Sequence, residues 1–485
     1  MATLENQLKR YDLIAIGTGS GMSIVDAMLQ ERPDLKVAVI DKDEPGGICL
    51  TRGCIPSKIL LYPAELIRSI EGADVFGLDI RVENVDFQKT MNRMRSLIHH
   101  DIDRIRESLS EATNIDYYPY PAEFVAPYTL ETKGERISAK MIFLCTGSRP
   151  LIPPIKGLAE VGYLTSDTLL ELDSLPKSVA IVGGGYIAAE YGHFLSAMGS
   201  QVTIVGRNPQ FLPDEEPEIS ALAKRELGNH IKIMTGHEVI RAERSPSGEK
   251  SIVAVNKETG EEVTFTSEEI LVASGRASNS DILRPEKGGV KTDANGWIAV
   301  DDFLQTSQTN VWALGDATGR YQFKHVANYE ALVVYNNAVL GGKMKADYHA
   351  VPHAVFTYPE IASVGMREKE AIQRYGIDKI LVGVQRYQDT AKGEAINAKD
   401  YFVKVIVEGE ELRILGAHII GPQASVLIHE IIPLMYVGHQ TALPIRAAMH
   451  IHPALSEVVD RAFSSLMTPE QYHHLMEHHF NLPLS

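Results

Sequence analysis

The chain is 485 residues long, 44% of its residues are hydrophobic, and its formal net charge is −16. A chain of this length has room for about two to four domains with ample apolar core. The acidic balance disfavours nucleic acid and anionic membrane surfaces as partners. No apolar run approaches the ~18 residues needed to cross a bilayer, and the polar residues 1–10 lack the core of a signal peptide. Three cysteines in so long a chain are typical of a reducing compartment, so we expect a cytoplasmic protein that binds neither nucleic acid nor membrane.

The beginning of the chain has the pattern of a nucleotide-binding βαβ unit. Residues 11–16 predict a strand, a helical pattern follows, and residues 35–40 predict a second strand that ends at Asp41. The turn after the first strand carries three glycines, Gly17, Gly19 and Gly21. Glycines let the backbone approach a pyrophosphate, and the acid accepts hydrogen bonds from ribose hydroxyls. Met22 stands where a third fingerprint glycine is usual, so we expect a looser fit there.

Two cysteines, Cys49 and Cys54, follow this unit. Pro56 places a helix start at Cys54, because proline suits the first helical turn. A cysteine at a helix N-terminus has a stabilised thiolate and a lowered pKa. An isolated pair at this spacing is more often two buried free thiols, and metal ligation is limited because Cys145 is the only other cysteine. The pair is also near enough to close a small disulfide ring, so a redox-active disulfide is the interpretation that we favour.

Residues 46–58, Gly-Gly-Ile-Cys-Leu-Thr-Arg-Gly-Cys-Ile-Pro-Ser-Lys, closely resemble the active site of the flavin-dependent pyridine nucleotide-disulfide oxidoreductases. That family includes dihydrolipoamide dehydrogenase, glutathione reductase, mycothione reductase and mercuric reductase. The resemblance implies that Cys54 faces the flavin of FAD and that Cys49 exchanges with substrate. The family expects threonine at Ile48 and asparagine at Thr51, so two polar contacts near the flavin are missing.

A second dinucleotide unit begins with a predicted strand at 178–182, followed by the glycine turn of Gly183 and Gly185. Two such units imply two dinucleotides, one of which stays bound while the other exchanges. By resemblance, Tyr186 covers the empty nicotinamide pocket. Lys58 and Glu190 match an ion pair near the flavin N5.

The second unit also predicts the choice of nicotinamide. The acid expected after Val205 is replaced by Gly206, and Arg207 follows it. Without the acid, nothing repels a 2′-phosphate, and an arginine can bind one through charge-assisted hydrogen bonds. Ala188 also matches NADPH-using glutathione reductase, although that enzyme's second arginine falls on Pro213. We therefore expect NADPH to be preferred over NADH.

Further segments resemble the rest of the family's sites. The resemblance assigns FAD contacts to Gly47, Gly147, Gly275, Gly315, Asp316, His325 and Ala327. Residues 352–365 resemble the opening of the dimerisation domain. His452, which precedes a proline, matches the catalytic base, and Glu457 would orient its imidazole. Because this histidine serves the partner subunit's disulfide in the family, the resemblance implies a homodimer.

The expected fold class is α/β, with two Rossmann-type domains and a C-terminal α+β dimerisation domain. The expected boundaries are 1–150 and 277–343 for FAD, 151–276 for NAD(P), and 344–485 for dimerisation. The expected function is electron transfer between NAD(P)H, FAD, the Cys49–Cys54 disulfide and a small disulfide or dithiol, with most resemblance to mycothione reductase. One alternative is dihydrolipoyl dehydrogenase with a lipoyl-bearing partner. Another is a flavin-bound structural subunit without turnover. No metal is expected.

Overall fold

The computed structural model describes residues 8–245 and 248–479. Contacts within the chain divide it into two compact units. The first unit comprises residues 8–59, 89–151 and 275–347. The second comprises residues 60–88, 152–274 and the chain from 348 onward. The finer division at 150, 276 and 343 stays a prediction.

The segment up to residue 151 alternates short strands with helices. Its strands are β1 (Lys9–Ile16), β2 (Val37–Ile40), β3 (Ile115–Tyr118), β4 (Ala122–Ala126), β5 (Thr129–Thr132), β6 (Glu135–Leu144) and β7 (Ser148–Pro150). Its helices are α1 (Met22–Glu31), α2 (Gly47–Thr51), α3 (Cys54–Glu71) and α4 (Phe87–Glu111). The helix start predicted at Cys54 is confirmed. Cys145, predicted within a strand, instead follows the last residue of β6.

The segment 152–274 contains a second series of strands and helices. Its elements are α5 (Leu158–Val161), β8 (Leu164–Thr165), β9 (Ser178–Val182), α6 (Tyr186–Met198), β10 (Gln201–Val205), α7 (Pro217–Leu227), β11 (Ile231–Met234), β12 (His237–Arg244), β13 (Lys250–Asn256), β14 (Glu262–Ser267) and β15 (Glu269–Val272). Helix α6 begins three residues before the predicted Ala189, directly at the glycine turn.

The segment 275–347 returns to the first unit. Its elements are β16 (Arg276–Ser278), α8 (Ser280–Leu283), β17 (Val311–Ala313) and α9 (Lys324–Val334). The remaining elements belong to the second unit: β18 (Pro352–Val355), β19 (Ile361–Gly365), α10 (Glu368–Tyr375), β20 (Ile380–Arg386), α11 (Ala391–Ala395), β21 (Phe402–Glu408), β22 (Arg413–Ile420), α12 (Ala424–Leu427), α13 (Ile432–Met435), α14 (Leu443–Ala447), α15 (Glu457–Ser464), β23 (Leu466–Met467) and α16 (Pro469–His479).

The sheet of the first unit has the order β3-β2-β1-β6-β5-β4, and β17 pairs with β6. Its strands β1, β2, β6 and β17 are parallel, and their final residues, Ile16, Ile40, Leu144 and Ala313, lie in one register row. The apolar residues of β1 and β2 are buried on both faces, as expected for a parallel sheet covered on two sides. Ligands bind at the carboxyl edge of such sheets, so this row locates the site.

Within the part that the structure describes, the second unit contains three sheets. A parallel sheet has the order β11-β10-β9-β15-β8, in which Val182 is level with Val205 and Val272. An antiparallel sheet joins β12, β13 and β14. The C-terminal antiparallel sheet has the order β18-β19-β22-β21-β20-β23. This α/β architecture, with two sheets built around parallel strands and a C-terminal α+β region, confirms the expected fold class.

A buried ionic cluster lies within the second unit. Lys404 of β21 is buried, and its Nζ lies 2.7 Å from Glu368 and 3.3 Å from Glu216. It also contacts Glu218 at the start of α7. Burial opposes the charge of Lys404, but the three carboxylates raise its pKa above the ordinary value. The cluster therefore ties α7 to the C-terminal sheet.

Among the described residues, no helix has both the length and the apolar character that a membrane span requires.

Candidate active site

The first glycine turn lies at the carboxyl edge of the first unit's sheet. Gly17 has a φ of +105°, and a Cβ at this position would overlap the carbonyl oxygen of Cys145. A Cβ on Gly21 would overlap the sulfur of the same cysteine. Gly21 therefore provides the close packing that Met22 cannot, and Met22 instead begins α1. Burial raises the pKa of the Cys145 thiol to about 12, so this cysteine packs in its protonated form.

Asp41 is held by the turn itself. Its Oδ2 accepts hydrogen bonds from Thr18 N at 2.9 Å and Thr18 Oγ1 at 2.6 Å, and its Oδ1 accepts one from Asp43 N at 3.1 Å. Burial raises the pKa of Asp41, and these hydrogen bonds oppose the rise. Thr18 Oγ1 also accepts a hydrogen bond from Gly46 N at 2.9 Å. Asp41, which we predict to accept hydrogen bonds from a ribose, is thus oriented by Thr18, and Thr18 is in turn bound to the loop that leads into the cysteine segment.

The cysteine segment packs directly on the first glycine turn. A Cβ added to Gly47 would lie 2.7 Å from the Cα of Gly19, so this approach excludes any larger residue. Gly147, in the turn after β6, lies against Ile48. Thr51 Oγ1 donates a hydrogen bond to Gly47 O at 3.0 Å, so the Thr51 hydroxyl is bound to the backbone of its own helix, α2.

The two active-site cysteines are unbridged thiols in hydrogen-bonding contact. Cys54 is exposed at the first position of α3, and Cys49 is half-buried in α2. The hydrogen bond with Cys54 raises the pKa of Cys49, with burial and the neighbouring negative charge as further causes, while Lys324 opposes the rise. The contact with Cys54 and burial therefore favour the protonated form of Cys49.

Three separate segments meet around Asp316. Ser148 Oγ donates to Asp316 Oδ2 at 2.5 Å, and Arg276 Nε donates to Ser148 Oγ at 2.9 Å. Burial raises the pKa of Asp316, whereas Ser148 and the charge of Arg276 oppose the rise. The amide of Gly315 donates to the buried carboxylate of Glu330 at 2.5 Å. Gly275 adjoins this network, because its carbonyl accepts a hydrogen bond from Leu151 N at 3.0 Å.

Helix α9 starts beside the first glycine turn. Lys324 Nζ donates to Ser20 Oγ at 2.8 Å, and Ser20 Oγ donates to Asn328 Oδ1 at 2.9 Å. His325 stacks on Phe323 with ring centroids 5.3 Å apart. Ala327 lies against Gly315, where an added Cβ would be 3.1 Å from the Ala327 methyl. The predicted contacts His325 and Ala327 thus lie at the same sheet edge as Asp316.

The second glycine turn occupies the carboxyl edge of the second unit's parallel sheet. Gly183 follows β9, Gly185 precedes α6, and Tyr186 is the first residue of that helix. Gly206 stands where an acid is expected. A Cβ added to it would lie 3.3 Å from the Cα of Gly184, so the backbones of the two glycines pack closely. Arg207, the next residue, is exposed.

Glu190 is buried in α6. Its Oε1 accepts a hydrogen bond from the amide of Phe356 at 3.0 Å, within the second unit. Lys58 lies in the part of α3 that belongs to the first unit. The predicted Lys58–Glu190 ion pair therefore stays a prediction.

The histidine–glutamate dyad is formed in the second unit. His452 Nδ1 lies 3.0 and 3.1 Å from the two carboxylate oxygens of Glu457, the first residue of α15. Arg461 contacts the same carboxylate at 3.3 Å. The hydrogen bond with His452 lowers the pKa of Glu457. The carboxylate thus accepts the Nδ1 proton and leaves Nε2 of the exposed imidazole for proton exchange.

These features suit FAD in the first unit. The two glycine segments meet without side chains, which leaves backbone amides free to approach a pyrophosphate. Oriented acids, Asp41 and Asp316, lie at the same sheet edge beside Cys49 and Cys54. Together with the second dinucleotide turn, the arrangement defines a class: oxidoreductases that couple a nicotinamide and a flavin to a cysteine pair.

Sequence comparison places the chain in a family. The profile of the pyridine nucleotide-disulphide oxidoreductases matches residues 11–331, and that of their dimerisation domain matches residues 351–463. The chain belongs to the pyridine nucleotide-disulphide oxidoreductase family. It is 37% identical to mycothione reductase of Mycobacterium tuberculosis over 474 residues, 95% of this chain and 100% of that protein. It is 33% identical to dihydrolipoyl dehydrogenase of Chlamydia muridarum over 469 residues, 95% of this chain and 97% of that protein.

A solved structure has the same fold. The HOCl-induced flavoprotein disulfide reductase RclA of Escherichia coli, in its Cu(II) complex, matches with a TM-score of 0.83 and 27% identity, covering 94% of this chain and 99% of that chain. Members of the family use FAD and NAD(P)H and carry a redox-active disulfide. The expectation of an oxidoreductase that acts on sulfur groups, with FAD and a nicotinamide as cofactors, is confirmed at this level.

The sequence analysis did not find the groups that orient the predicted site residues. Glu330 and the Ser148–Arg276 pair hold the loop at Asp316, and Lys324 faces both Ser20 and Cys49. The resemblance assigns His325 and Ala327 to the site but does not assign the neighbouring Lys324. The sequence contains no pattern that predicts the position of the Lys324 charge near Cys49, which belongs to a distant segment of the chain.

Proposed function

We propose that the protein is an NAD(P)H-dependent flavoprotein disulfide reductase whose substrate is a small disulfide of the mycothione type. The observation that carries the proposal is the pair of thiols, Cys49 and Cys54, in contact at the start of α3. The substrate type is supported by the resemblance of residues 17–21, 276–279, 324–328 and 451–455 to mycothione reductase, and by the 37% identity to that enzyme.

The proposed reaction begins at Cys49. Its thiolate attacks one sulfur of the substrate, the substrate S–S bond breaks, and a mixed disulfide forms on Cys49. The departing thiolate takes the proton held on Nε2 of His452. The thiolate of Cys54 then attacks the Cys49 sulfur, which closes the Cys49–Cys54 disulfide and releases the second half of the substrate as a thiolate that takes a proton from solvent. His452 thereby regulates the protonation of both Cys49 and the first leaving thiol.

FAD, when bound, passes two electrons from the nicotinamide to the Cys49–Cys54 disulfide and so restores the dithiol. We propose that Asp41, Asp316 and the glycine turn of residues 17–21 hold this cofactor, with Gly47, Gly147 and Ala327 at its edges. In the second unit, Gly183, Gly185 and Arg207 would hold NADPH, and Tyr186 would cover its empty site. Glu190, already oriented by the Phe356 amide, would receive Lys58.

A homodimer is part of the proposal. The chain carries the family's dimerisation domain, and His452 is exposed on the unit that contains it. In the proposed dimer, His452 of the partner subunit serves Cys49. A cytoplasmic location agrees with the three cysteines of the chain.

The second candidate is dihydrolipoyl dehydrogenase, which the 33% identity to the chlamydial enzyme favours. There the same thiol steps run in reverse and oxidise a dihydrolipoyl group on a partner protein. A subunit without turnover is disfavoured, because both thiols and the His452–Glu457 dyad are assembled.

The test is a panel of disulfides assayed with NADPH and with NADH. Mycothione, lipoamide, glutathione disulfide and coenzyme A disulfide are each offered to the FAD-loaded protein. The proposal requires NAD(P)H oxidation that depends on the disulfide and is largest for mycothione. A preference for lipoamide with NADH would select the second candidate, and flavin reduction without turnover of any disulfide would select the structural subunit.

A further inference from the structure

The loop that carries His452 is exposed over most of its first part. Of residues 448–453, which follow α14, all are exposed apart from His450, and burial resumes at Leu455 before α15. Met449 and Ile451 flank His450, and Ile451 is 78% exposed. The His450 side chain is only 11% exposed. His450 is thus the one inward side chain within the exposed stretch 448–453.

His450 is attached to another element of the same unit. Its Nε2 lies 2.5 Å from Oε1 of Glu430, which ends a short helical turn at Ile428–Glu430. Among the described residues, the hydrogen bonds made by residues 449–453 come from the two histidine side chains, His450 and His452. His452 contacts Glu457 at the start of α15. His450 instead contacts Glu430, which lies in the helical turn at Ile428–Glu430.

We propose that the His450–Glu430 contact is the anchor that positions the loop carrying His452, which makes His450 and Glu430 positioning residues for proton transfer in the disulfide step. This inference rests on the proposed function, because His452 is the acid–base group only in that reaction. A loop held at both histidines restricts the position of His452 Nε2 more than a loop held at His452 alone. A displacement of ~1 Å in a catalytic group can lower the rate about 100-fold.

The charges around His450 give the anchor a pH dependence. Glu430 faces it from the helical turn, Asp460 faces it from α15, and the carbonyl of Ala448 accepts from it on its own loop. Burial lowers the pKa of His450, but these acids outweigh burial and raise the pKa above the ordinary value. The imidazolium–carboxylate pair is therefore present below this raised pKa and is lost as the pH rises through it.

The test compares His450→Gln, Glu430→Gln and the control His439→Gln in the FAD-loaded protein. His439 is an exposed histidine of the same region. We expect His450→Gln to lower disulfide turnover about 10-fold to 100-fold, with flavin reduction by NAD(P)H unchanged. Glu430→Gln keeps a neutral hydrogen bond, so it lowers turnover less and moves the alkaline fall in rate to lower pH. His439→Gln keeps the wild-type rate and pH profile.

A second comparison uses His452→Ala, which we expect to lower turnover by about 10²–10⁴-fold. If His450 acts through His452, adding His450→Gln to His452→Ala causes no further loss. The proposal would be overturned if His450→Gln lowered turnover equally in the wild type and in His452→Ala. It would also be overturned if His450→Gln lowered flavin reduction as much as turnover, or if its rates matched those of His439→Gln. Intact turnover in His452→Ala would instead contradict the proposed function.

The anchor also has a readout that does not depend on turnover. Hydrogen–deuterium exchange of the amides at residues 448–455 reports local opening of the loop. We expect faster exchange there in His450→Gln than in His439→Gln, with unchanged exchange in β21 and β22. Equal exchange in the two variants would contradict the anchor, whichever substrate the protein uses.

Discussion

At the scale of single residues, the two thiols have different tasks although they are five positions apart. Cys49 is half-buried and its pKa is raised by the hydrogen bond with Cys54, whereas Cys54 is exposed at a helix N-terminus. Helix N-termini stabilise thiolates. The helix start therefore favours a thiolate on Cys54, and in the proposed reaction Cys49 becomes a nucleophile when a base removes its proton.

Substitution of each cysteine should separate these tasks. In Cys54→Ser, attack on the substrate still occurs, but the mixed disulfide on Cys49 cannot resolve. In Cys49→Ser, no mixed disulfide forms. Both variants should lose turnover and keep bound FAD, and mass spectrometry after disulfide treatment should find substrate attached to Cys49 in Cys54→Ser alone. An adduct on Cys54 in Cys49→Ser would reverse the assignment.

Arg207 is the residue on which the nicotinamide preference depends. Gly206 carries no acid and packs closely on Gly184, and Arg207 is exposed beside it. A charge-assisted hydrogen bond to a 2′-phosphate contributes about 1.5–3 kcal/mol. Arg207→Ala should therefore lower the ratio of kcat/KM for NADPH to that for NADH by about 10-fold to 100-fold.

The control for this measurement is Lys257→Ala, which removes another exposed cation of the second unit. Its NADPH to NADH ratio should equal that of the wild type. A wild type that favours NADH, or an unchanged ratio in Arg207→Ala, would contradict the predicted preference and favour the dihydrolipoyl dehydrogenase candidate.

At the scale of secondary structure elements, α7 is fixed to the C-terminal sheet by ionic contacts. Lys404 of β21 meets Glu216, Glu218 and Glu368, and each of these side chains is buried. Burial raises the pKa of Glu218, but the charge of Lys404 outweighs it and the net shift is downward. A carboxylate with a lowered pKa stabilises the fold above its ordinary pKa and loses that effect as the pH falls.

Lys404→Met should lower the free energy of unfolding by about 3–5 kcal/mol at neutral pH, because it leaves buried carboxylates without a counter-charge. The deficit should become smaller at lower pH, where these carboxylates can take up protons. Denaturant titration of the wild type, Lys404→Met and the exposed control Lys369→Met at about pH 7 and about pH 5 measures both effects. A deficit that does not change with pH would show that lost packing, rather than lost charge, is responsible.

At the scale of the whole molecule, activity should require two chains. If His452 of the partner subunit serves Cys49, a dimer of Cys49→Ser chains lacks the thiol at both sites, and a dimer of His452→Ala chains lacks the base at both. A mixed dimer of one of each keeps one site with both groups. Co-expressed chains with different affinity tags should therefore recover part of the wild-type turnover, and verified mixed dimers without recovery would indicate that both groups come from one chain.

The sequence alone determined the parts of this protein whose chemistry is local. The glycine turns, the helix start at Cys54 and the acid five positions after His452 depend on spacing along one segment, and short segments fix such geometry through turns and helix starts. In the structure Cys54 begins α3, Asp41 contacts the first glycine turn, and His452 contacts Glu457. The family and the α/β class followed from the same segments.

Tertiary structure alone decided which distant groups orient these residues. Ser148 and Asp316 meet because the parallel strands β6 and β17 end level with each other, and Arg276 joins them from β16, which pairs with β7. Glu430 and His450 are separated by the two short helices α13 and α14, and Lys404 meets acids from two helices. Such pairings depend on how strands align and helices pack, and a single sequence carries no periodic or spacing signal for contacts between remote segments.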